Sequence, residues 1–336
     1  MSATVRIPIA DASGCGHARR AAVTMAKEIG FDEARAGEVA IVATEACTNI
    51  LKHAGSGEVL LGFAENAPEC GIAFELLALD RGPGMSSVDR CLEDGYSTAG
   101  SAGEGLGAIQ RLSAESDFFS VPGAGTAVLA RWSSQKAATG GPSRPRIGAV
   151  NISKRGQDVC GDSWGIELED GFWTVLVADG LGHGFEAGEA SREAVRTLRT
   201  NRDAGPKTLI ELSHRALRSL RGAAVAVARV DHAHGTLTFS GLGNVAAQIY
   251  DGSRHSQHLV SVNGTAGQIA PRVREFTYPW PAGGMLVMHS DGLATSTSLD
   301  GYRGLAMRDP SLIAGVLYRD FSRGHDDATV VVAKAV

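Results

Sequence analysis

The 336-residue sequence has few cysteines, few aromatic residues and no excess of positive charge. Its five cysteines are scattered, with no CxxC pair and no histidine at zinc spacing, so neither a disulfide framework nor a structural zinc site is expected. A net charge of −5 argues against a general nucleic-acid binder. No apolar run approaches the roughly 18 residues of a membrane-spanning helix, and no basic segment leads into an apolar stretch at the start. We therefore expect a cytoplasmic protein that binds neither nucleic acid nor membrane.

Glycine is abundant, with 43 residues, and acidic residues repeatedly follow apolar runs. The length fits two domains of roughly 100–200 residues each. The stretch SQKAATGGPSRPR at residues 134–146 lacks apolar periodicity and is typical of a linker. We predict a first domain over residues 1–134, a linker over 135–146 and a second domain over 147–336. Both halves mix helical and strand patterns, with helices expected over 12–29 and 33–53, so the fold class is α/β (α+β).

Two motifs in the first domain combine acidic residues with an amide or with glycines. In ATEACTNILKHA (residues 43–54), Glu45 and Asn49 are four residues apart and share one helix face. A carboxylate and an amide there suit a general base and an oxygen ligand for Mg²⁺. In LALDRGPGM (77–85), Asp80 ends an apolar strand before Gly82 and Gly84, where a carboxylate can accept from a purine amino group. Taken alone, each motif is more simply explained by a solvated helix face or a turn.

A third motif, GSAGEGLGAIQRL at residues 100–112, places Gly103, Gly105 and Gly107 at the start of a predicted helix. Backbone N–H groups and the positive end of the helix dipole at such a site attract phosphates. The motif lacks the GKS or GKT ending of a Walker A loop, and no strand runs directly into it as a dinucleotide fingerprint requires.

Together with the closing GT of VPGAGTAVLARW, these motifs resemble the GHKL superfamily of ATP-binding domains over roughly residues 43–132. The segment GYSTAGSAGEGLGAIQRL resembles, within it, the bacterial anti-sigma-factor and stressosome serine kinases of the RsbW and RsbT group. The resemblance implies an α/β sandwich that uses ATP and Mg²⁺, with residues 86–102 as the lid over the nucleotide. The residues implied to hold the nucleotide and its metal are Asn49, Asp80, Gly82, Gly84, Gly103, Gly105, Gly107 and Thr126.

The same resemblance implies a role for each of these residues. Asn49 would bind Mg²⁺, and Glu45 would be the base that activates a protein hydroxyl. Asp80 would read the adenine amino group, with Gly82 and Gly84 against the base and Thr126 near it. The three glycines of the third motif would surround the phosphates.

In the second domain, acidic residues recur at the ends of predicted strands. Asp162 in DVCGDSW precedes a strand, Asp179 in WTVLVADGLGHGFEAG follows one, and Asp291 in GGMLVMHSDGLATS follows another. Asp326 and Asp327 in GHDDATVVVA precede the last strand. Carboxylates from separate strand ends supply the oxygen ligands of a dinuclear hard-metal site. A single Asp-Gly pair is usually a turn, but four such sites in this order are far more specific.

This set resembles the PPM family of metal-dependent Ser/Thr phosphatases, and within it the compact SpoIIE, RsbU and RsbX type, over about residues 147–334. The resemblance implies an α-β-β-α sandwich that holds two Mn²⁺ or Mg²⁺ ions. Asp179 would bridge both ions, the Gly180 carbonyl would bind one, and Asp291 and Asp326 would complete the second. Asp162 would bind through water or an accessory metal. The ions would activate a water that attacks a phosphoserine or phosphothreonine.

Some positions near this motif set stay without a fixed role. Asp327 has no assigned function, and His183 is either a proton donor or a packing residue of its loop. No arginine matches the phosphate-binding arginine of larger PPM enzymes, for which Lys154 and Arg155 are the nearby candidates.

The two resemblances predict a bifunctional partner-switching regulator, in which an ATP-dependent Ser/Thr protein kinase is fused to a metal-dependent phosphatase. The implied substrates are STAS-domain proteins, with a sigma factor or another switch protein downstream, and a homodimer is left open. The alternative is a phosphatase gated by a nucleotide-binding, partner-sequestering module without significant kinase turnover. A third interpretation is a protein that sequesters a sigma factor, and the sequence does not distinguish it from the other two. Glu45 favours the kinase, since a pure binder needs no base.

Overall fold

The computed structural model of the chain describes residues 4–65, 72–92, 105–133, 145–251, 256–270 and 272–335. The chain divides into two compact units. The N-terminal unit contains residues 2–138 and 301–319, and the C-terminal unit contains residues 139–300 and 320–336. Within the described ranges, every helix is too short or too polar to cross a membrane.

The N-terminal unit is built on a five-stranded antiparallel sheet in the order β1-β2-β3-β5-β4. Its strands are β1 (Val5–Ile9), β2 (Gly57–Glu65), β3 (Ile72–Asp80), β4 (Glu115–Ser120) and β5 (Thr126–Ser133). Its first four helices are α1 (Ala12–Glu28), α2 (Glu33–Asn49), α3 (Val88–Leu92) and α4 (Gly105–Leu112).

The two long helices begin at aspartate caps. The Asp11 side chain accepts from the N–H groups of Ser13 and Gly14, and the Asp32 side chain accepts from the Arg35 N–H. Both helices lie where the sequence predicts them. The second differs at its end, because its last turn, Ile50–Ala54, is a π-helix rather than a continuation of α2.

Successive residues of β3 and β5 point to opposite faces of the sheet. On one face, Phe74, Leu76 and Trp132 belong to a core that also contains the buried alanines and valines of α1 and α2. On the other face, Leu77 and Leu79 lie against Gly315, where a Cβ would be 3.4 Å from each of their side chains. Gly315 belongs to helix α7, described below, and both faces of the sheet are therefore covered.

A buried ionic network crosses this second face. Arg131 and Glu75 are paired across β5 and β3, and the Arg131 Nε donates to Glu75 Oε1 at 2.6 Å. The same guanidinium donates to Asp309 at 2.9 and 3.2 Å and to Glu115 at 2.6 Å. Ser311 Oγ donates to Glu75 at 3.0 Å. The network fixes residues 309–311 on the sheet of the N-terminal unit. The sequence places the whole of residues 147–336 in the second domain, so segment 301–319 differs from that expectation.

The C-terminal unit contains two five-stranded antiparallel sheets, ordered β13-β10-β9-β8-β7 and β12-β11-β14-β15-β6. The strands of the first are β7 (Asp162–Glu169), β8 (Phe172–Gly180), β9 (Ala223–Asp231), β10 (Thr236–Leu242) and β13 (Phe276–Pro279). Those of the second are β6 (Arg146–Ile152), β11 (Ala246–Tyr250), β12 (Ser256–His258), β14 (Met285–His289) and β15 (Ala328–Lys334). The later helices of the chain are α5 (Phe185–Thr200), α6 (Pro206–Ala216) and α7 (Pro310–Phe321), with 3₁₀ turns at Leu217–Ser219 and Leu305–Met307.

The two sheets of this unit share one apolar core, to which Trp173 and Val177 of the first sheet and Met288 and Val331 of the second contribute. Helices α5 and α6 cover the other face of the first sheet, around Leu176. The two-domain α/β class expected from the sequence is confirmed.

Candidate functional site

The first and third motifs of the N-terminal unit meet where α4 begins. Glu45 and Asn49 lie one turn apart on α2, and both are half-buried. A Cβ on Gly105, the first residue of α4, would lie 3.1 Å from Asn49 Oδ1 and 3.3 Å from Glu45 Oε2. The backbone of α4 therefore approaches both polar side chains closely, which a larger residue at position 105 would prevent.

Asn49 carries a polar atom without a hydrogen-bond partner among the described residues. Its Nδ2 is buried and makes no hydrogen bond within the described part of the chain. Since an unsatisfied buried donor costs about 1–3 kcal/mol, this atom indicates a place for a ligand. Gly107 is buried within α4. Gly103 and most of the predicted lid, residues 93–102, lie outside the described residues.

The second motif forms a tight turn at the end of β3. Asp80 Oδ1 accepts from the Gly82 N–H at 2.7 Å and from the Thr126 N–H at 3.2 Å. A Cβ on Gly82 would lie 2.7 Å from Ala54 Cβ. Gly84 has φ of 66°, and a Cβ there would lie 2.1 Å from a backbone oxygen. The glycines are therefore required by close packing in this turn, where Asp80 and Thr126 lie together.

The charge of Asp80 is under opposing influences. Burial raises its pKa, whereas the Gly82 and Thr126 N–H groups and then the charge of Arg319 act to lower it. The Arg319 guanidinium also donates to the Asp80 carbonyl at 3.0 Å, and the Arg81 guanidinium donates to the Arg319 carbonyl. Sequence analysis missed Arg319, because it lies 239 residues away along the chain.

In the C-terminal unit, Asp162 and Asp179 face each other. Asp162 is the first residue of β7 and Asp179 is the penultimate residue of β8, and the two are direct partners in the antiparallel register. The Gly180 N–H donates to the Gly161 carbonyl at 3.2 Å. Directly opposed residues project to the same face of a sheet, so the two carboxylates are neighbours.

The other acidic residues lie at the ends of β14 and β15, which pair with each other. Asp291 follows β14 by one residue, and Asp326 and Asp327 directly precede β15. A Cβ on Gly292 would lie 1.8 Å from the Asp327 carbonyl oxygen, so the Asp-Gly sequence is required for this approach. The Asp327 N–H donates to Asp326 Oδ1 at 3.0 Å.

These carboxylates repel one another. The pKa of Asp179 is raised to about 9, by burial first and then by Asp162, Asp291 and Asp326. The pKa of Asp162 is raised to about 7, by burial first, with a further contribution from Asp327 and an opposing hydrogen bond to Ser290. Bound cations would relieve this repulsion.

Two buried carboxylate oxygens, Asp162 Oδ2 and Asp327 Oδ2, have no hydrogen-bond partner in the described part of the chain. The same part holds no group of three or more His, Cys, Asp or Glu side chains placed around a single metal position. Hard cations such as Mg²⁺ keep several waters among their ligands, so carboxylates with orphaned oxygens can fit such an ion without forming a closed cage.

Neighbouring residues orient these carboxylates. Asn244 Nδ2 donates to Asp291 Oδ2 at 2.6 Å, and the Lys154 N–H donates to Asp327 Oδ1 at 2.8 Å. Sequence analysis missed Asn244, although its place in a Gly-Asn turn between two apolar strands could have drawn attention to it. His183 is exposed in the loop after β8, and Arg155 is also exposed.

Two families match the chain. Residues 169–336 match the family described as Stage II sporulation protein E (SpoIIE), and residues 10–132 match the histidine kinase-like ATPase domain. The serine/threonine-protein kinase RsbT of Bacillus subtilis (strain 168) is 34% identical over 116 residues, which are 34% of this chain and 86% of RsbT. The phosphoserine phosphatase RsbX of the same organism is 25% identical over 142 residues, which are 42% of this chain and 71% of RsbX.

Solved structures give the same picture of the fold. A structure from work on the bacterial stressosome has a TM-score of 0.53 at 25% identity and covers 56% of this chain and 99% of its own. RsbX in complex with magnesium has a TM-score of 0.51 at 21% identity, over 59% of this chain and 98% of RsbX. The phosphatase domain of SpoIIE from Bacillus subtilis, with a fragment of its regulatory domain, has a TM-score of 0.50 at 19% identity. The similarity covers 96% of this chain and 92% of the SpoIIE structure. At these identities, the similarities to RsbX and to SpoIIE concern the fold alone.

Proposed function

The chain belongs to the Stage II sporulation protein E (SpoIIE) family, and we propose that its C-terminal unit is a metal-dependent phosphoserine and phosphothreonine phosphatase. The observation that carries this proposal is the opposed pair Asp162 and Asp179, whose raised pKa values reflect burial among further carboxylates. Two Mn²⁺ or Mg²⁺ ions, when bound there, would supply a water of lowered pKa for attack on phosphorus.

The chain's own residues would hold and orient these ions. Asp179 would contact both, with the Gly180 carbonyl beside it, and Asp291 and Asp326 would complete the second position. Asp162 would bind through water or an accessory ion. Outer hydrogen bonds orient metal ligands and tune their basicity, and the Asn244 donor to Asp291 would act in this way.

Hydrolysis of a small aryl phosphate by the full chain tests this proposal. Activity should require added Mn²⁺ or Mg²⁺, excess chelator should abolish it, and Asp179→Asn should remove it because this residue would touch both ions. Asp300→Asn, at an exposed aspartate, is the matched control and should leave activity unchanged. Equal activity of the wild-type protein with and without chelator would refute the metal-dependent mechanism.

For the N-terminal unit, we propose an ATP-binding protein Ser/Thr kinase. The approach of Gly105 to Glu45 and Asn49 supports it, since the first residue of α4 lies beside a carboxylate and an amide whose Nδ2 has no partner in the described part of the chain. Asn49 would bind Mg²⁺ through Oδ1, and Glu45 would accept the proton of the attacking protein hydroxyl. Asp80 would accept from the adenine amino group, with Gly82, Gly84 and Thr126 around the base.

Nucleotide binding and phosphoryl transfer can be separated by two substitutions in the full chain. Asp80→Asn should weaken ATP binding in calorimetry, because the base would lose its acceptor. Glu45→Ala should retain ATP binding but lose transfer to protein, because only the incoming hydroxyl would need this base. Absence of ATP binding by the wild-type protein would contradict the assignment of the whole unit.

We propose STAS-domain proteins as the substrates of both activities, and a sigma factor or another switch protein as their downstream target. Likeness to both RsbT and RsbX in one chain supports a partner-switching role. Two opposing activities on one phosphosite would only hydrolyse ATP, so either the sites differ or a signal favours one activity.

Intact-mass spectrometry of a STAS-domain protein incubated with ATP and the full chain tests this scheme. Asp179→Asn should drive the partner to full phosphorylation, and Glu45→Ala should only remove phosphate. If wild type and Asp179→Asn give the same level on every site, the two activities do not oppose each other. If the wild type and Asp179→Asn add no phosphate although ATP binds, the N-terminal unit is a nucleotide-binding module without kinase turnover.

A further inference from the structure

Three large apolar side chains are exposed close to the loop that follows Asp179. Leu181 is 48% exposed, Phe185 67% and Ile269 74%. Single exposed apolar residues are ordinary, but a group of them beside a reactive site indicates a binding surface. We call these three residues the apolar rim.

Backbone hydrogen bonds join the parts of the chain that carry the rim. The Leu181 N–H donates to the Gly222 carbonyl at 2.9 Å. Ala223 and Ala266 form a two-bond bridge, and Gln268 Nε2 donates to the Arg221 carbonyl at 2.6 Å. Loop 265–269, which carries Ile269, therefore lies beside the start of β9, as Leu181 does.

The position of Phe185 at the start of α5 is also supported. Glu186, the next residue, pairs with the Arg221 guanidinium, and the Arg192 guanidinium lies 6.0 Å from the Phe185 ring centroid. The exposed ring of Phe185 thus lies beside Arg192, and the Glu186 pair joins the start of α5 to Arg221.

A basic pocket lies on the other flank of the same loop. It encloses about 310 Å³ and is lined by Lys207, Glu211, His214, Arg215, Arg218, Ala270, Arg272 and Val273. His214 Nδ1 accepts from the Gly267 N–H at 3.1 Å, which ties α6 to the loop.

The charge of this pocket is unbalanced. Its lining holds four basic side chains and one carboxylate, in a chain of net charge −5. Arg215, Arg218 and Arg272 form no ion pair within the described ranges, and Lys207 reaches Glu211 only at 3.9 Å. Unpaired guanidinium groups around a concave surface favour an anionic partner, and carboxylates match their geometry well.

We propose that the apolar rim and the basic pocket together form the docking surface for the phosphoprotein substrate of the C-terminal unit. The rim contacts apolar residues that flank the phosphorylated side chain, and the pocket binds carboxylates elsewhere on the same protein. This inference rests on the phosphatase function proposed above. It assigns substrate selection to residues that neither bind metal nor touch the reacting phosphate.

The experiment compares three substrates of the full chain with added Mn²⁺: a phosphorylated STAS-domain protein, a short phosphoserine peptide from its site, and p-nitrophenyl phosphate. Leu181→Ala with Phe185→Ala should lower kcat/KM on the protein and the peptide roughly tenfold, mainly through KM. Arg215→Glu with Arg272→Glu should lower it on the protein alone, with a smaller loss at high salt. All variants should hydrolyse p-nitrophenyl phosphate within about twofold of wild type, because residues that only bind the protein substrate do not touch the reacting phosphate.

Exposed residues of the same types outside this surface provide the controls. Met307→Ala, at a side chain 84% exposed, and Arg303→Glu, at an exposed arginine, should leave all three rates unchanged. An equal loss on all three substrates would show that the rim or pocket residues are only structural, and no loss on the protein would show that it docks elsewhere. Either result overturns the proposed docking surface but is compatible with the proposed phosphatase function. Failure of the wild-type protein on every substrate would overturn both.

Discussion

Replacing Arg131 by methionine should destabilise the N-terminal unit strongly, because this guanidinium is the counter-charge of a buried network. Its side chain is 4% exposed, and those of Glu75 and Asp309 are 9% and 6% exposed. Burial raises the pKa of Glu75, and the attraction of Arg131 acts against that rise. Without Arg131, two buried carboxylates would lose their counter-charge.

The size of the effect follows from this geometry. Removing one partner of a buried ion pair costs about 3–5 kcal/mol, since it leaves an uncompensated charge. At about 2–4 °C per kcal/mol for a domain of this size, the unfolding temperature of the unit should fall by roughly 6–20 °C. Adding Glu75→Gln and Asp309→Asn to Arg131→Met should recover part of the loss, because neutral amides need no counter-charge.

Hydrogen exchange of peptides from β3, β5 and residues 301–319 locates the effect in this unit, and calorimetry gives its size. Arg196→Met is the control: Arg196 pairs with Glu193 at 2.6 Å, but its side chain is 73% exposed. Loss of such a pair should change stability by less than about 1 kcal/mol. The reasoning fails if Arg131→Met behaves like this control, or if the triple variant is no more stable than the single one.

Three other results are expected. Since the pKa values of Asp179 and Asp162 are raised to about 9 and about 7, Asp179 is mostly protonated and Asp162 partly protonated near neutral pH. Mn²⁺ binding should therefore release protons and tighten as the pH rises through this range; calorimetry in buffers of different ionisation enthalpy would contradict this by finding no proton release. Gly105→Val should weaken ATP binding by crowding the amide and carboxylate beside it, whereas Gly37→Val, with nothing within 4 Å of its Cβ position, should not; equal affinities would contradict the close approach. Asn244→Ala should lower Mn²⁺ affinity about 10–100-fold, as loss of an outer-shell partner does; an unchanged affinity would remove it from the metal site.

The positions of the predicted site residues could be read from local patterns. An aspartate directly after an apolar run predicts the end of a strand, and Asp80 is the last residue of β3 and Asp179 the penultimate residue of β8. Glycines close to the site aspartates mark places where the backbone approaches a neighbouring segment, as Gly82 and Gly292 do. The order of such motifs along the chain was enough to suggest both families, although the role of each residue stays a prediction.

Partners that are distant in sequence could not be predicted in this way. Asn244 and Asp291 are 47 residues apart, and Arg319 and Asp80 are 239 apart. Neither Asn244 nor Arg319 belongs to a motif, and periodicity does not say which turn or helix end meets which strand. Their contacts depend on the order of strands in the sheets, which is a property of the whole fold.

The sequence also does not predict that segment 301–319 belongs to the N-terminal unit. Helix α7 is buried from Pro310 to Arg319, so its apolar pattern surrounds the helix and does not indicate which sheet it covers. The one sequence signal was a charge within each of two apolar strands, Glu75 and Arg131, which form a cross-strand pair whose remaining hydrogen-bonding groups need partners. Asp309 is one of these partners, and it lies 178 residues from Arg131 in the sequence. The chain thus leaves the C-terminal unit after Asp300 and returns at Asp320.

Because segment 301–319 belongs to the N-terminal unit, the chain cannot be divided at the linker alone. Asp291 and Asp326, which we propose as ligands of one metal position, lie on either side of this segment in the sequence. A cut at the predicted linker would leave residues 301–319 attached to the phosphatase sequence but without Glu75, Arg131 and the leucines of β3 that they contact. The helix would then expose a surface that is buried in the whole chain, between two of the proposed metal ligands. Because that surface includes most of α7, the linker marks a boundary in sequence but not a boundary between independent structural units.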